Sequence, residues 1–205
     1  MDALKTAASS RSARIDLPRR SLLLGAGALA VGGWIAPALA KAAPMAEVHV
    51  ERHGSEILVE AHAEVGTTAD ATWSTLVDYD RFSEFIPDMS LSRTLSRNGT
   101  MAVVEQKGRV SFGPFGQHFS LLLEVEEEPG ASIRSVGLQG DFRRFEARYD
   151  LASIAPARTR IDYRATLEPT MAIPPLVGLP VMRAAIRRQF EAMVGEIARR
   201  AAFAQ

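Results

Sequence analysis

Between residues 57 and 65 the chain changes character at every step. Ile57, Val59, Ala61, Ala63 and Val65 are apolar, while Leu58, Glu60, His62 and Glu64 between them are mostly polar. A period of two puts one set on a buried face, so this stretch predicts a half-buried strand. Just upstream, Val48 and Val50 precede the turn-like His53-Gly54, a piece that can pair with the strand as a hairpin. The period then becomes helical. Thr68 or Asp70 in Thr67-Thr68-Ala69-Asp70 can cap a helix whose buried stripe is Trp73, Leu76 and Val77. A second short helical segment, Tyr79–Ile86, is stopped by Pro87.

Six strand-like runs follow, Met89–Arg97, Thr100–Phe112, Gln117–Glu128, Ser132–Leu138, Asp141–Ile154 and Arg158–Glu168. Turn-forming residues separate them: Asn98-Gly99, Gly113-Pro114-Phe115-Gly116, Pro129-Gly130, Gln139-Gly140 and Ala155-Pro156-Ala157. A Pro-rich apolar segment, Pro169–Pro180, leads into a long amphipathic helix over Val181–Phe203. There Met182, Ile186, Phe190, Met193 and Ile197 share one face, and Arg183, Arg187, Arg188, Glu196, Arg199 and Arg200 take the other. Gly195 inside this helix costs about 1 kcal/mol against Ala, which predicts a neighbour in close approach. Short turns favour antiparallel neighbours, and one long helix is the natural cover for such a sheet. The prediction is an α+β fold: a curved seven-stranded antiparallel sheet wrapped around a long C-terminal helix, with two short helices after the first strand.

Strand parity nominates a lining for the space between sheet and helix. Val104, Gln106, Val110 and Phe112 share a face, as do Phe119, Leu121 and Leu123 on the next strand. Arg143, Phe145 and Tyr149 share one on a third, and Tyr163 joins them from a fourth. Ile186 and Phe190 face them from the helix. This set is apolar with a few polar tips, which matches a small-molecule pocket with sparse orienting groups. Arg143 is read either as a guanidinium gripping a carbonyl or anionic headgroup at the cavity mouth, or as a rim arginine in a surface ion pair.

In a meander alternate turns emerge at the same end. One end collects tight turns of small residues; the other collects Phe115, Leu138, Phe142, Ile173, Leu176 and Leu179. Loops normally avoid such apolar content. This second end is read as a ligand gate that touches a membrane or a partner during exchange, or else as a plug for the core.

The chain has 205 residues, 24 Lys+Arg against 24 Asp+Glu, and no Cys. Zero net charge argues against a nucleic-acid binder with a basic surface. The absence of Cys excludes disulfide frameworks, zinc ribbons and cysteine nucleophiles. The average hides an asymmetry at the N-terminus. Lys5, Arg11, Arg14, Arg19 and Arg20 stand against only Asp2 and Asp16 there, followed by a charge-free run, Ser21–Ala40, ending in Ala38-Leu39-Ala40. A basic region, an apolar region and a small-x-small end make a secretory signal. Arg19-Arg20-Ser21-Leu22-Leu23 resembles the twin-arginine export signal.

The expected organisation is an export signal over 1–40, a linker over 41–46 and a ligand-binding domain over 47–205. That domain is expected outside the cytoplasm, in the periplasm of a Gram-negative host, or else anchored by an uncleaved N-terminal span. Without residues 1–40 the charged set falls by five basic and two acidic residues, leaving 19 basic and 22 acidic, net −3.

Catalytic patterns are thin. No G-x-S-x-G elbow, P-loop or dinucleotide fingerprint occurs. Among the four histidines His49 and His53 can share a strand face, yet no third ligand stands at metal spacing, so no metal and no cofactor is expected. Glu124, Glu126, Glu127 and Glu128 read as a solvated strand end. The weak acid/base candidates are Arg143, Tyr149 and Tyr163.

The element order, the segment T-W-S-T-L-V-D-Y-D-R-F-S-E-F-I-P-D-M (Thr72–Met89) and the ending Phe190-Glu191-Ala192-Met193 resemble the START/polyketide-cyclase superfamily. Within it they are most similar to the coenzyme Q-binding START-like group of bacterial cyclase/dehydrase proteins. The resemblance covers about Ile57 to Arg200. It implies a helix-grip fold and a cavity for a lipid, quinone, polyketide or sterol; a minority of members catalyse cyclisation. Sequence and resemblance together point to an exported binder of a hydrophobic small molecule. A cyclase or dehydratase using the same cavity is the alternative, and a membrane-docking interaction module the second alternative.

Overall fold

The protein is described from a computed structural model. It describes residues 46–112, 115–170 and 178–203, apart from the side chains of Ser111, Phe112 and Phe115. The expected export-signal residues Arg19, Arg20, Ala38 and Ala40 lie outside the described residues, as do Ile173 and Leu176.

Two strands open the described chain, β1 (Glu47–His53) and β2 (Glu56–Val65). Then come α1 (Ala69–Leu76), a single 3-10 turn (Tyr79–Arg81) and α2 (Phe82–Phe85). The strands β3 (Met89–Asn98), β4 (Met101–Phe112), β5 (Phe115–Glu128), β6 (Ser132–Gly140), β7 (Phe142–Ala155) and β8 (Arg158–Pro169) follow. Helix α3 (Gly178–Phe203) ends the described chain. One antiparallel sheet holds all the strands in the order β1-β2-β8-β7-β6-β5-β4-β3. The β3–β8 meander is joined to the β1–β2 hairpin where β2 pairs with β8 from Ile57↔Leu167 to Val65↔Thr159.

The sheet has eight strands, one more than the seven expected. The additional strand is β1, which keeps an unbroken register with β2 from Glu47↔His62 to His53↔Glu56. Only Val48 and Val50 bury its inner face. Two alternating residues are a faint signal alone, but seven ladder partners on β2 are enough to hold the edge.

Thr68 is the cap of α1: its Oγ1 accepts from Ala71 N at 3.2 Å, and Asp70 lies in the first turn. Leu76 is buried, with Trp73 and Val77 packed against the same core. On α3, Phe190, Met193, Val194 and Ile197 are buried against the sheet. Two expectations for this helix are corrected. A Cβ on Gly195 would meet nothing within 4 Å, so no close neighbour offsets its cost. Glu196 does not face solvent; it is buried between Arg199 (2.6 Å) and Arg200 (2.7 Å). Arg200 also meets Asp78 at 2.8 Å and lies 5.7 Å from the Phe85 ring, tying the end of α3 to the α1–α2 segment. Arg199 and then Arg200 hold the Glu196 carboxyl down at about 2.

Candidate functional site

The sheet, the α1–α2 segment and the first half of α3 enclose a cavity of about 280 Å³. That is near the lower limit of small-molecule sites, roughly 300–1,000 Å³. Period-two alternation puts inward side chains of the five neighbouring strands β4 to β8 on its wall. Val104, Gln106 and Val110 line it from β4, and Phe119, Leu121 and Leu123 from β5. Phe145 and Tyr149 reach it from β7, Tyr163 from β8, and Ile186 and Phe190 from α3. Phe112, expected beside them, has its side chain outside the described residues. Across the sheet from this wall, Arg144, Glu146, Arg148, Asp162 and Arg164 form ion pairs with one another and with Glu56, Glu60, Asp150 and Arg160.

Arg143 is not on the wall, and this corrects the expectation from parity. The β7–β8 register runs Phe142↔Pro169 and then Arg144↔Glu168, so Arg143 is the extra residue of a β-bulge. A bulge turns the alternation by one position. Phe142 and Phe145 therefore both line the cavity, while Arg143 is 64% exposed and lies 3.6 Å from Glu168. It is a surface cation beside a carboxylate, the rim ion pair that was one of the two readings open from sequence.

The residues expected at the gate divide. Phe142 lines the cavity; Leu179 packs against the core; Leu138 is 48% exposed and off the wall. The Phe115 side chain, Ile173 and Leu176 lie outside the described residues. The exposed lining residues Gln117, His118 and Asp141 all stand at this end of the meander, so the cavity opens there. Asp141 organises the opening. Its Oδ2 accepts from Ser120 N (2.7 Å), and its carbonyl accepts from Thr170 N (2.9 Å) and Thr170 Oγ1 (3.0 Å). Gly140 allows this turn, with φ +132° and no room for a Cβ against the Ser120 carbonyl. Deeper in, a Cβ on Gly108 would strike the Phe119 ring and the Asp88 carbonyl, so glycine there lets that ring approach the β4 backbone closely.

At the closed end a polar network was missed from sequence. Glu127 belongs to an acidic run read as solvated, yet it has the inward parity of β5 and is only 8% exposed. It accepts from Tyr79 Oη (2.8 Å) and pairs with Arg97 (2.8 Å), whose guanidinium also stands over the Tyr79 ring. Tyr79 itself lines the cavity, and burial and the Glu127 bond push its hydroxyl well above the ordinary tyrosine range. Ser135 and Gln189 were also missed. Their signals were present: Ser135 has the parity of Ile133 on β6, and Gln189 follows Ile186 by three on the same helix face.

Two further tyrosines set hydroxyls into the inner wall beside Gln106, Ser135 and Gln189. Tyr149 and Tyr163 are register partners, with ring centroids 4.6 Å apart. Burial raises both phenols, so they stay protonated donors. Among the described residues no group of three His, Cys, Asp or Glu side chains is placed to hold a metal ion. His49 and His53 share Glu51, at 2.8 and 3.2 Å, on the exposed face of β1.

A family model described as "Polyketide cyclase / dehydrase and lipid transport" matches residues 65–194, well over half of the chain. The chain belongs to this family. The solved structures similar to this polyketide-cyclase-type domain include the Zhui aromatase/cyclase from a Streptomyces species, at 17% identity and TM-score 0.60. That match covers 71% of this chain and 95% of that one. A STAR-related lipid transfer protein from Xanthomonas axonopodis matches at 15% identity and TM-score 0.60, covering 75% and 93%. A START superfamily protein from Mycobacterium smegmatis matches at 17% identity and TM-score 0.57, covering 72% and 99%. At these identities the likeness is one of fold. No curated protein matches the chain.

Proposed function

We propose that the protein is an exported binder and carrier of a hydrophobic small molecule, a lipid, an isoprenoid quinone or a similar compound, held between the sheet and α3. The observation that carries this reading is the cavity wall: apolar from Leu76 and Val125 at the closed end to Phe142 at the mouth, with uncharged polar groups set into it. Burial of about ten methylenes, at roughly 0.8 kcal/mol each, yields on the order of 8 kcal/mol before the costs of association. No covalent step is needed for that. The family description pairs lipid transport with cyclase chemistry, and the overall resemblance to the coenzyme Q-binding group favours a quinone among the possible ligands.

The basic segment with Arg19-Arg20 and the Ala38-Leu39-Ala40 end supports twin-arginine export and a periplasmic location. The exposed Leu138, on the strand that ends at the mouth, supports transient membrane contact during exchange. Transfer of a fluorescent isoprenoid quinone between vesicles tests the carrier role. Transfer is expected with the native chain and reduced with Leu138→Asp plus Phe115→Asp. Equal transfer and equal flotation with vesicles in both proteins count against the mouth as the exchange site. Fractionation of cells carrying Arg19→Lys plus Arg20→Lys tests export, with retention in the cytoplasm expected.

One observation favours a second reading. Tyr149 and Tyr163 are neutral donors in a desolvated wall, able to polarise a carbonyl in a cyclase or dehydratase. That reading requires Tyr149→Phe to abolish turnover of a poly-β-ketone substrate while sparing its binding.

A further inference from the structure

Among the described residues the wall of this cavity carries no permanent positive charge. No lysine or arginine among the described residues lines it, and its titratable groups besides the tyrosines, His118 and Asp141, stand exposed at the mouth. Residues 113–114 and 171–177 contain no ionisable side chain either. An anionic head drawn into such a space must leave water without a counter-charge, or else take up a proton.

The two inner tyrosines offer something different. Pairing of β7 with β8 sets Tyr149 beside Tyr163, and Phe190 of α3 packs 6.3 Å from the Tyr163 ring, so three elements fix the pair. Neither hydroxyl has a hydrogen-bond partner among the described residues. Neither is sealed off: among the described residues the fully enclosed, unpartnered side-chain atoms are Ser92 Oγ and Arg200 Nη2. Both hydroxyls therefore open on the cavity with their donors unspent. A buried polar group left unpaired costs free energy, and an acceptor brought by the ligand removes that cost.

We propose that Tyr149 and Tyr163 form a paired-donor site for an uncharged hydrogen-bond acceptor, a ketone- or quinone-type carbonyl on an otherwise apolar ligand, and that the cavity rejects carboxylate and phosphate heads. The inference rests on the reading of the cavity as a ligand site and narrows its ligand class. Attraction comes from the two hydroxyls, and rejection from the missing counter-charge. The volume of about 280 Å³ suits such a head with a short length of tail inside, the remainder passing out by the mouth.

The test uses the full chain loaded with the neutral dye N-phenyl-1-naphthylamine, displaced at pH 8 by 2-tridecanone, tridecane or tridecanoate. The ketone is expected to bind about three- to tenfold more tightly than the alkane. It is expected to beat the carboxylate by more than about tenfold, with the carboxylate gaining as pH is lowered. In the Tyr149→Phe plus Tyr163→Phe protein the ketone should lose its advantage over the alkane, whose affinity should hold or rise because no hydroxyl is then left unpaired. A carboxylate that matches the ketone at pH 8, or a ketone preference that survives both substitutions, overturns the inference and leaves the ligand-site reading standing. Binding of none of the three overturns that reading and the inference with it. Should the double variant not fold, the carbonyl stretch of 2-tridecanone bound to the native chain decides. A shift to lower frequency than in alkane solvent supports the paired donors; an unshifted band refutes them.

Discussion

Two isoleucines on one face of α3 separate core from cavity. Ile186 and Ile197 are eleven residues apart, three helical turns, and both face the sheet. Ile197 is 0% exposed, does not touch the cavity and is surrounded by packed side chains; Ile186 is partly buried on the cavity wall. Truncation to alanine removes three carbon atoms from each, a transfer loss of about 2.4 kcal/mol when the side chain is fully packed. At position 197 a new void adds to that loss, so Ile197→Ala should cost about 3–4 kcal/mol. At position 186 the side chain already borders about 280 Å³ of open space and contacts protein over only part of its surface. Its truncation enlarges an existing void, and the expected cost is about 1–1.5 kcal/mol. Equilibrium urea unfolding of the two variants measures both values. Ile186→Ala should also change the affinity for an apolar dye, and Ile197→Ala should not while it remains folded. Equal destabilisation at the two sites would mean that Ile186 is packed core, and the cavity reasoning would fail.

Other consequences follow from the same contacts. Gly195→Ala meets nothing within 4 Å and should stabilise α3 by up to about 1 kcal/mol, seen as a melting temperature roughly 2–4 °C higher. Glu127→Ala should cost about 2 kcal/mol in urea unfolding, because the buried Tyr79 hydroxyl loses its acceptor while the half-exposed Arg97 can turn to water; Glu127→Gln, which keeps an acceptor, should cost less. Glu196 titrates at about 2 in the folded chain, below its ordinary value of 4.5. A depressed carboxyl contributes stability that is whole above about 4.5 and is lost as pH falls toward 2. Stability of the native chain should fall through that window more steeply than that of Glu196→Gln; parallel slopes would show that the Arg199 and Arg200 pairing contributes nothing.

How much was legible from sequence depended on whether a signal was local. The alternation of Ile57 to Val65 and of Phe119 to Leu123, and the helix face from Met182 to Ile197, each lie within one element, and the buried faces follow them. Arg143 broke the same reasoning because a bulge is set by pairing with β8, and nothing within Arg143-Arg144 marks which residue the ladder skips. Glu127 was misread for a related reason. Within an acidic run its charge argued for solvent, while its parity argued for the interior, and the partners that settle the matter, Tyr79 and Arg97, lie 48 and 30 residues away. Gly195 shows the converse error. A glycine in a helix invites a packing explanation, yet its surroundings are open and the structure offers no account of it. Tyr149 and Tyr163 were named from parity alone; that they are register partners with unspent hydroxyls needed the register of β7 on β8.

The central claim is that the space between sheet and α3 holds a guest. Native mass spectrometry of the protein purified from its own host tests this most directly, run beside a Leu123→Trp variant that fills the cavity from the middle of β5. The native chain should carry a non-covalent adduct that organic extraction releases as an uncharged, largely apolar compound, and the filled variant should carry little or none. A native chain without adduct, or one whose adduct persists undiminished in Leu123→Trp, would contradict the account.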